Sequence, residues 1–136
     1  MAYARWIFRG SLVDAYGMAL PPVVQAAYGS RVGVELFGIT LFNNGHVMQM
    51  LEGEVAVLQK AMHDLRDLSK LFGIERLLEE TIDEPATRDV AVGLNRFVDE
   101  ISEHLPPHVK VFTICADEVC DRTVPGAARN MLLGFI

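Results

Sequence analysis

Three sets of side chains in this sequence have the types and spacing to do chemistry. The first is Gln49, the one polar residue in the apolar run Val47-Met48-Gln49-Met50-Leu51. An amide carries both donors and an acceptor, so a buried glutamine needs partners on two sides, and the edge of a ligand can supply them. A strand alternates its faces, so Gln49 could instead face solvent or bond a neighbouring loop. The second set is Cys115 and Cys120 with His104 and His108. These types suit a soft metal or a redox pair, but the spacing is wider than a zinc knuckle and no second cysteine pair exists, so they read as buried structural thiols. The third set is Glu52, Glu54, Glu79, Glu80, Asp83 and Glu84, with His46 and His63 as possible bases. No serine sits in a nucleophile elbow and no glycine-rich phosphate loop is present. The stretch from Glu79 to Glu84 reads as a solvated acidic strand end and turn, and the chain reads as not an enzyme.

Composition narrows the partners. The 136 residues are 51% hydrophobic and 22% charged, which suits one folded domain with a core of useful size. A net charge of −6 argues against nucleic acid as the partner, since phosphate binding rests on clustered Lys and Arg. No apolar run approaches a membrane span, and Arg5 and Arg9 interleave with Trp6, Ile7 and Phe8 as in a strand, not as in a signal peptide. A cytoplasmic protein with reduced thiols is the expectation.

These residues need elements to hold them. Residues 3–8 read as a strand. Pro21-Pro22 open a helix that Gly29 stops. Leu36, Phe37, Ile39, Leu41 and Phe42 form a strand. The turn Asn43-Asn44-Gly45 joins it to the strand of Gln49, because such residues tolerate the positive φ of a tight hairpin. Val55, Leu58, Met62 and Leu65 predict a helix over residues 54–72, ended by Gly73. Residues 74–82 alternate as a half-exposed strand near an edge, and residues 88–92 are a short strand ended by Gly93. Strand, helix, strand, strand, helix, strand is the ferredoxin-like order, an antiparallel or mixed sheet with two helices on one face. Beyond it, residues 94–104 read as a third helix, residues 109–115 as a strand or extended arm, and residues 124–136 as a helix. Leu132, Leu133, Phe135 and Ile136 must pack on something, either the open sheet face or a second molecule.

Gly38, Gly45 and Gln49-Met50-Leu51-Glu52-Gly53 together resemble the BLUF family, the flavin-binding blue-light sensor domains. The resemblance covers residues 3–93 and implies a BLUF-type α+β domain there, with residues 94–136 a C-terminal helical extension packed on it. It implies FAD as a possible cofactor, with Gln49, Trp6, Arg31 and Asp67 at the positions that would meet it. The other family residues are replaced. The photoactive tyrosine falls near Ile7, the asparagine near Arg31, and a Trp-x-Met-Gly string reads Val90-Ala91-Val92-Gly93. Trp6, Phe8, Val90 and Val92 would fill part of the slot with side chains. The implied function is a regulatory or protein-interaction module that has lost the light chemistry, with no cofactor, a protein partner and a two-fold homodimer. The alternative is a flavin-binding photosensor with an altered site.

Overall fold

The computed structural model describes residues 2–13, 18–29, 35–86, 88–96, 98–106 and 108–136. Strand β1 (Tyr3–Leu12) leads to helix α1 (Leu20–Tyr28), in which Pro21 and Pro22 take the first positions and Gly29 closes the end at φ +52°. Strands β2 (Leu36–Asn43) and β3 (His46–Glu54) form a hairpin. Its turn residues Asn44 and Gly45 both take positive φ, 51° and 86°, which matches the twist of the flanking strands. Helix α2 (Val55–Asp67) follows, then β4 (Leu71–Ile82), β5 (Val90–Leu94), α3 (Val98–Ser102), β6 (Val109–Thr113), α4 (Ala116–Asp121) and α5 (Ala127–Phe135).

The six strands lie in the order β4-β1-β3-β2-β5-β6. β1 runs antiparallel to β3 and β4, and β2 antiparallel to β3, while β2, β5 and β6 are parallel neighbours. The first four strands and two helices make the ferredoxin-like arrangement, and β5 and β6 turn it into a mixed sheet. Period-two alternation gives each strand to two cores. Ala4, Trp6, Phe8, Val47, Leu51, Val90 and Val92 face α1 and α2 in one core. Ile7, Ile39, Leu41, Met48, Met50 and Ala91 face Phe112 of β6, Val119 of α4 and Ala128 and Leu132 of α5 in the other.

Several expected boundaries move. The second helix stops at Asp67, not Phe72; Ser69 turns the chain at φ +61°, and Leu71 and Phe72 pair with Leu12 and Ser11 as strand. Sheet pairing and burial of Leu71 outweigh the local helical pattern. Leu94 belongs to β5 and the third helix shrinks to Val98–Ser102; Phe97 lies outside the described residues. The expected boundary after Gly93 falls inside β5, and residues 94–136 supply a sixth strand as well as helices.

Candidate functional site

The hairpin register places Gln49 directly opposite Thr40 on β2 and Phe8 on β1. Alternation with Val47 and Leu51 aims its side chain into the layer between the sheet and helices α1 and α2. Gln49 is fully buried. Its Nε2 donates to Thr40 Oγ1 at 2.8 Å, and its Oε1 finds no donor among the described residues. Tyr28, in the last turn of α1, is also fully buried. Burial pushes its phenol far above the ordinary tyrosine range. The neighbouring Thr40 hydroxyl offsets part of that, and the Glu52 charge adds to it. The phenol oxygen nevertheless lacks a hydrogen bond of good geometry among the described residues. A phenol, a hydroxyl and an amide thus share one fully buried layer, with two of their polar atoms unpartnered among the described residues.

The residues singled out in the sequence do not all gather there. Trp6 lies on the same sheet face as Gln49 but pairs with Leu51, two positions along. Its ring is covered by the Arg76 guanidinium, 4.4 Å from the ring centroid, beside the outer side of α2. Asp67 ends α2 at the surface and pairs with His63 at 3.1 Å. Arg31 lies outside the described residues. The position facing Gln49 on β1 is held by Phe8 and not Ile7, which points to the opposite core. Sequence reading missed Tyr28 and Thr40. Both were within reach of it: Thr40 follows from the hairpin register counted back from Asn44-Gly45, and Tyr28 from the apolar stripe Leu20, Val24, Ala27, Tyr28 on α1.

A flavin touching Gln49 would have to lie in the layer into which the amide points. Phe8, Leu20, Val23, Val24, Ala27, Tyr28, Thr40, Leu58 and Leu65 line that layer, and each has 0% exposure. Side chains with no accessible surface border no void as large as a water molecule, so a three-ring system has no room unless α1 and α2 separate. As packed, the described residues leave no space for a flavin in this layer. The shared glycines have a different explanation. A Cβ on Gly38, at φ +149°, would sit 1.9 Å from the Met50 carbonyl oxygen, and one on Gly93 would sit 2.7 Å from the Phe112 ring. Both are demanded by chain packing, so the matching pattern reports the fold.

Glu52 of the same motif points to the other face. Its Oε2 accepts from Arg5 Nε at 2.8 Å and lies 2.7 Å from Arg5 Nη2, and its Oε1 accepts from the Ala86 N–H at 3.0 Å. Burial pushes the Glu52 carboxyl up; the Arg5 charge and the hydrogen bonds from Arg5 and Ala86 offset part of this, and Glu80 adds to the rise. Sealed from solvent, this pair ties β1 and β3 to the β4–β5 connection and offers a substrate no approach. Among the described residues no three His, Cys, Asp or Glu side chains group as metal ligands. The thiols are free and, contrary to the buried pair expected from sequence, Cys115 is exposed and Cys120 half-buried, because Cys115 caps the short surface helix α4 and Cys120 lies on it.

No protein-family profile and no curated protein matches the sequence. Solved structures do. Klebsiella pneumoniae BlrP1, in a manganese and cyclic-diGMP complex, superposes with a TM-score of 0.67 at 15% identity over 98% of this chain and 32% of that one. The BlrP1 BLUF structure gives 0.62 at 13% over 99% and 87%. The ground state of BlsA gives 0.50 at 15% over 63% and 59%. This chain has the BLUF fold. It spans about a third of the longer BlrP1 chain and 59% of the BlsA ground-state chain. At such identities the likeness is one of fold alone. No helix among the described residues is long and apolar enough to cross a membrane.

Proposed function

We propose that this chain is a non-enzymatic regulatory module of BLUF fold whose flavin slot is filled by its own side chains. The supporting observation is the complete burial of Gln49, Phe8 and Tyr28 where a flavin edge would otherwise lie. Such a module works by binding. A protein partner, not a nucleic acid or a membrane, suits the net charge of −6, and a cytoplasmic setting suits two free thiols. Helices α4 and α5 occupy the second sheet face, so docking uses their outer side, next to which Val124 and Ile136 are exposed. A two-fold dimer through that side is the simplest self-assembly, and sedimentation reads it.

The deciding experiment is a near-ultraviolet and visible absorption spectrum of the purified protein, repeated with excess FAD and FMN. A featureless spectrum with no flavin retained on gel filtration supports the closed slot. Retained flavin bands, with a red shift under blue light, overturn it. One observation favours that second reading, a flavin-binding photosensor: Gln49 Oε1 and Tyr28 Oη have no partners among the described residues, and a ring entering between α1 and α2 would meet both.

A further inference from the structure

A cleft of about 590 Å³ opens on the second face of the sheet, where α5 runs out over β1 and β3. Its volume lies within the roughly 300–1,000 Å³ that small-molecule sites occupy. Two features keep it open. β4 bulges at Gly73, φ +65°, where the register against β1 shifts between Arg9 and Ser11. On the helix side, a Cβ on Gly134 would meet nothing within 4 Å. Asn43 Nδ2 holds the end of α5 over this space by donating to the Phe135 carbonyl at 3.4 Å.

The two walls differ in chemistry. The sheet wall carries Arg9, Ser11, His46 and Glu75, and Met48, Met131 and Phe135 supply the apolar lining. Arg9 uses only Nη2, to Glu75 at 3.2 Å, which leaves the rest of its planar fork unbonded among the described residues. Ser11 Oγ lies 3.3 Å from His46 Nδ1. In the tautomer in which the hydroxyl donates to Nδ1 the proton sits on Nε2, which is then a second donor; in the other tautomer Nδ1–H donates to Ser11 Oγ and Nε2 accepts. The unbonded part of the Arg9 fork therefore stands beside two adaptable thioethers and a phenyl ring, with the Glu75 carboxylate on the same wall.

We infer that this cleft binds a small amphipathic monocarboxylate, its head on the Arg9 fork and His46 Nε2 and its apolar body against Met48, Met131 and Phe135. The inference goes beyond the regulatory role proposed above and does not depend on the flavin slot being closed. Charge-assisted bonds to a guanidinium set the head-group preference, and the methionines tolerate a range of bodies. A bound ligand touches the sheet and the last turn of α5 together, so it biases the position of α5 by its differential affinity for the seated helix.

The test is a methionine-methyl NMR titration of the whole chain with phenylbutyrate and, separately, with the neutral phenylbutanol. The expected result is saturable movement of the Met48 and Met131 signals with Met62, on the opposite face, unmoved. Phenylbutanol binds about tenfold or more weakly. Arg9→Gln removes the gap between the two probes. Glu75→Gln, which frees the fork, tightens phenylbutyrate. Gly134→Leu fills the cleft and blocks both probes with an unchanged far-ultraviolet circular dichroism spectrum. Unmoved Met48 and Met131 signals at millimolar phenylbutyrate, or equal affinity for acid and alcohol, overturn the inference. The absorption spectrum reads the flavin slot separately.

Discussion

A buried hydroxyl or amide left without a partner costs about 1–3 kcal/mol, yet Tyr28 and Gln49 carry two such atoms in the core beneath α1. Tyr28→Phe removes one of them without changing the ring packing, so it should raise stability by about 1 kcal/mol in urea denaturation. A loss of stability would mean that the phenol has a partner. Replacing both ends of the Gln49–Thr40 bond, as Gln49→Leu with Thr40→Val, should be close to neutral. Gln49→Leu alone strands the Thr40 hydroxyl and should cost about 1 kcal/mol. Gly38 shows the opposite kind of constraint. Its φ of +149° and the 1.9 Å from its ideal Cβ to the Met50 carbonyl make Gly38→Ala destabilising by about 3 kcal/mol or more on the same assay. Gly38 and Gln49 stood out in the sequence, and the hairpin register gives Thr40 opposite Gln49, but the close approach of Gly38 to the Met50 carbonyl was not legible. One residue along a strand exchanges one core for the other, which is why Phe8 faces Gln49 and its neighbour Ile7 does not.

At the scale of elements, β4 is a 12-residue edge strand that could template pairing with another chain. Register breaks opposite Ile7/Phe8 and Arg9/Ser11, with Glu75, Arg76, Glu79 and Glu80 along it, keep that edge irregular and charged. Its start was misread because the apolar spacing that predicts helix continues through Leu71 and Phe72, and only the pairing with β1 decides otherwise. Helix α4 went unseen because six residues are too few to show a period. The Arg5–Glu52 pair joins β1, β3 and the β4–β5 connection, and its pH dependence has a definite sign. Burial raises the Glu52 carboxyl in the folded state, so folding favours the protonated form. This group's contribution is greatest below the unfolded carboxyl value near 4.5 and is lost as pH rises through the higher folded value. Glu52→Gln, which mimics the protonated side chain, should therefore gain on the wild type as the pH of the denaturation is raised from acid to neutral. A wild type that gains on the variant would reverse the assigned direction. Arg5→Met, which leaves the carboxylate buried without its cation, should cost about 3–5 kcal/mol at neutral pH.

On the scale of the whole molecule, one sheet is the shared wall of two cores. The buried layer around Gln49 and Tyr28 lies behind that wall, and the open cleft lies in front of it. The alternation of the strands requires both cores at once: a chain cut after Gly93 keeps α1 and α2 on one face but bares Ile7, Ile39, Leu41, Met48, Met50 and Ala91 on the other. It also severs β5 and removes β6, α4 and α5. Each fully buried aliphatic side chain loses about 1.5–3 kcal/mol when returned to water, so uncovering several of them exceeds the 5–15 kcal/mol that holds a domain of this size folded. Residues 1–93 expressed alone should aggregate or bind a hydrophobic dye, and the full chain should unfold in a single transition with coincident near- and far-ultraviolet circular dichroism. A milder cut reads the same coupling: Leu132→Ala, at a fully buried position on α5, should cost about 2–5 kcal/mol. A monomeric, cooperatively folding 1–93 fragment would instead make the C-terminal segment a separable extension. Its helices would then be free to leave the sheet without unfolding it, and the apolar sheet face beneath them would become the docking surface for a partner.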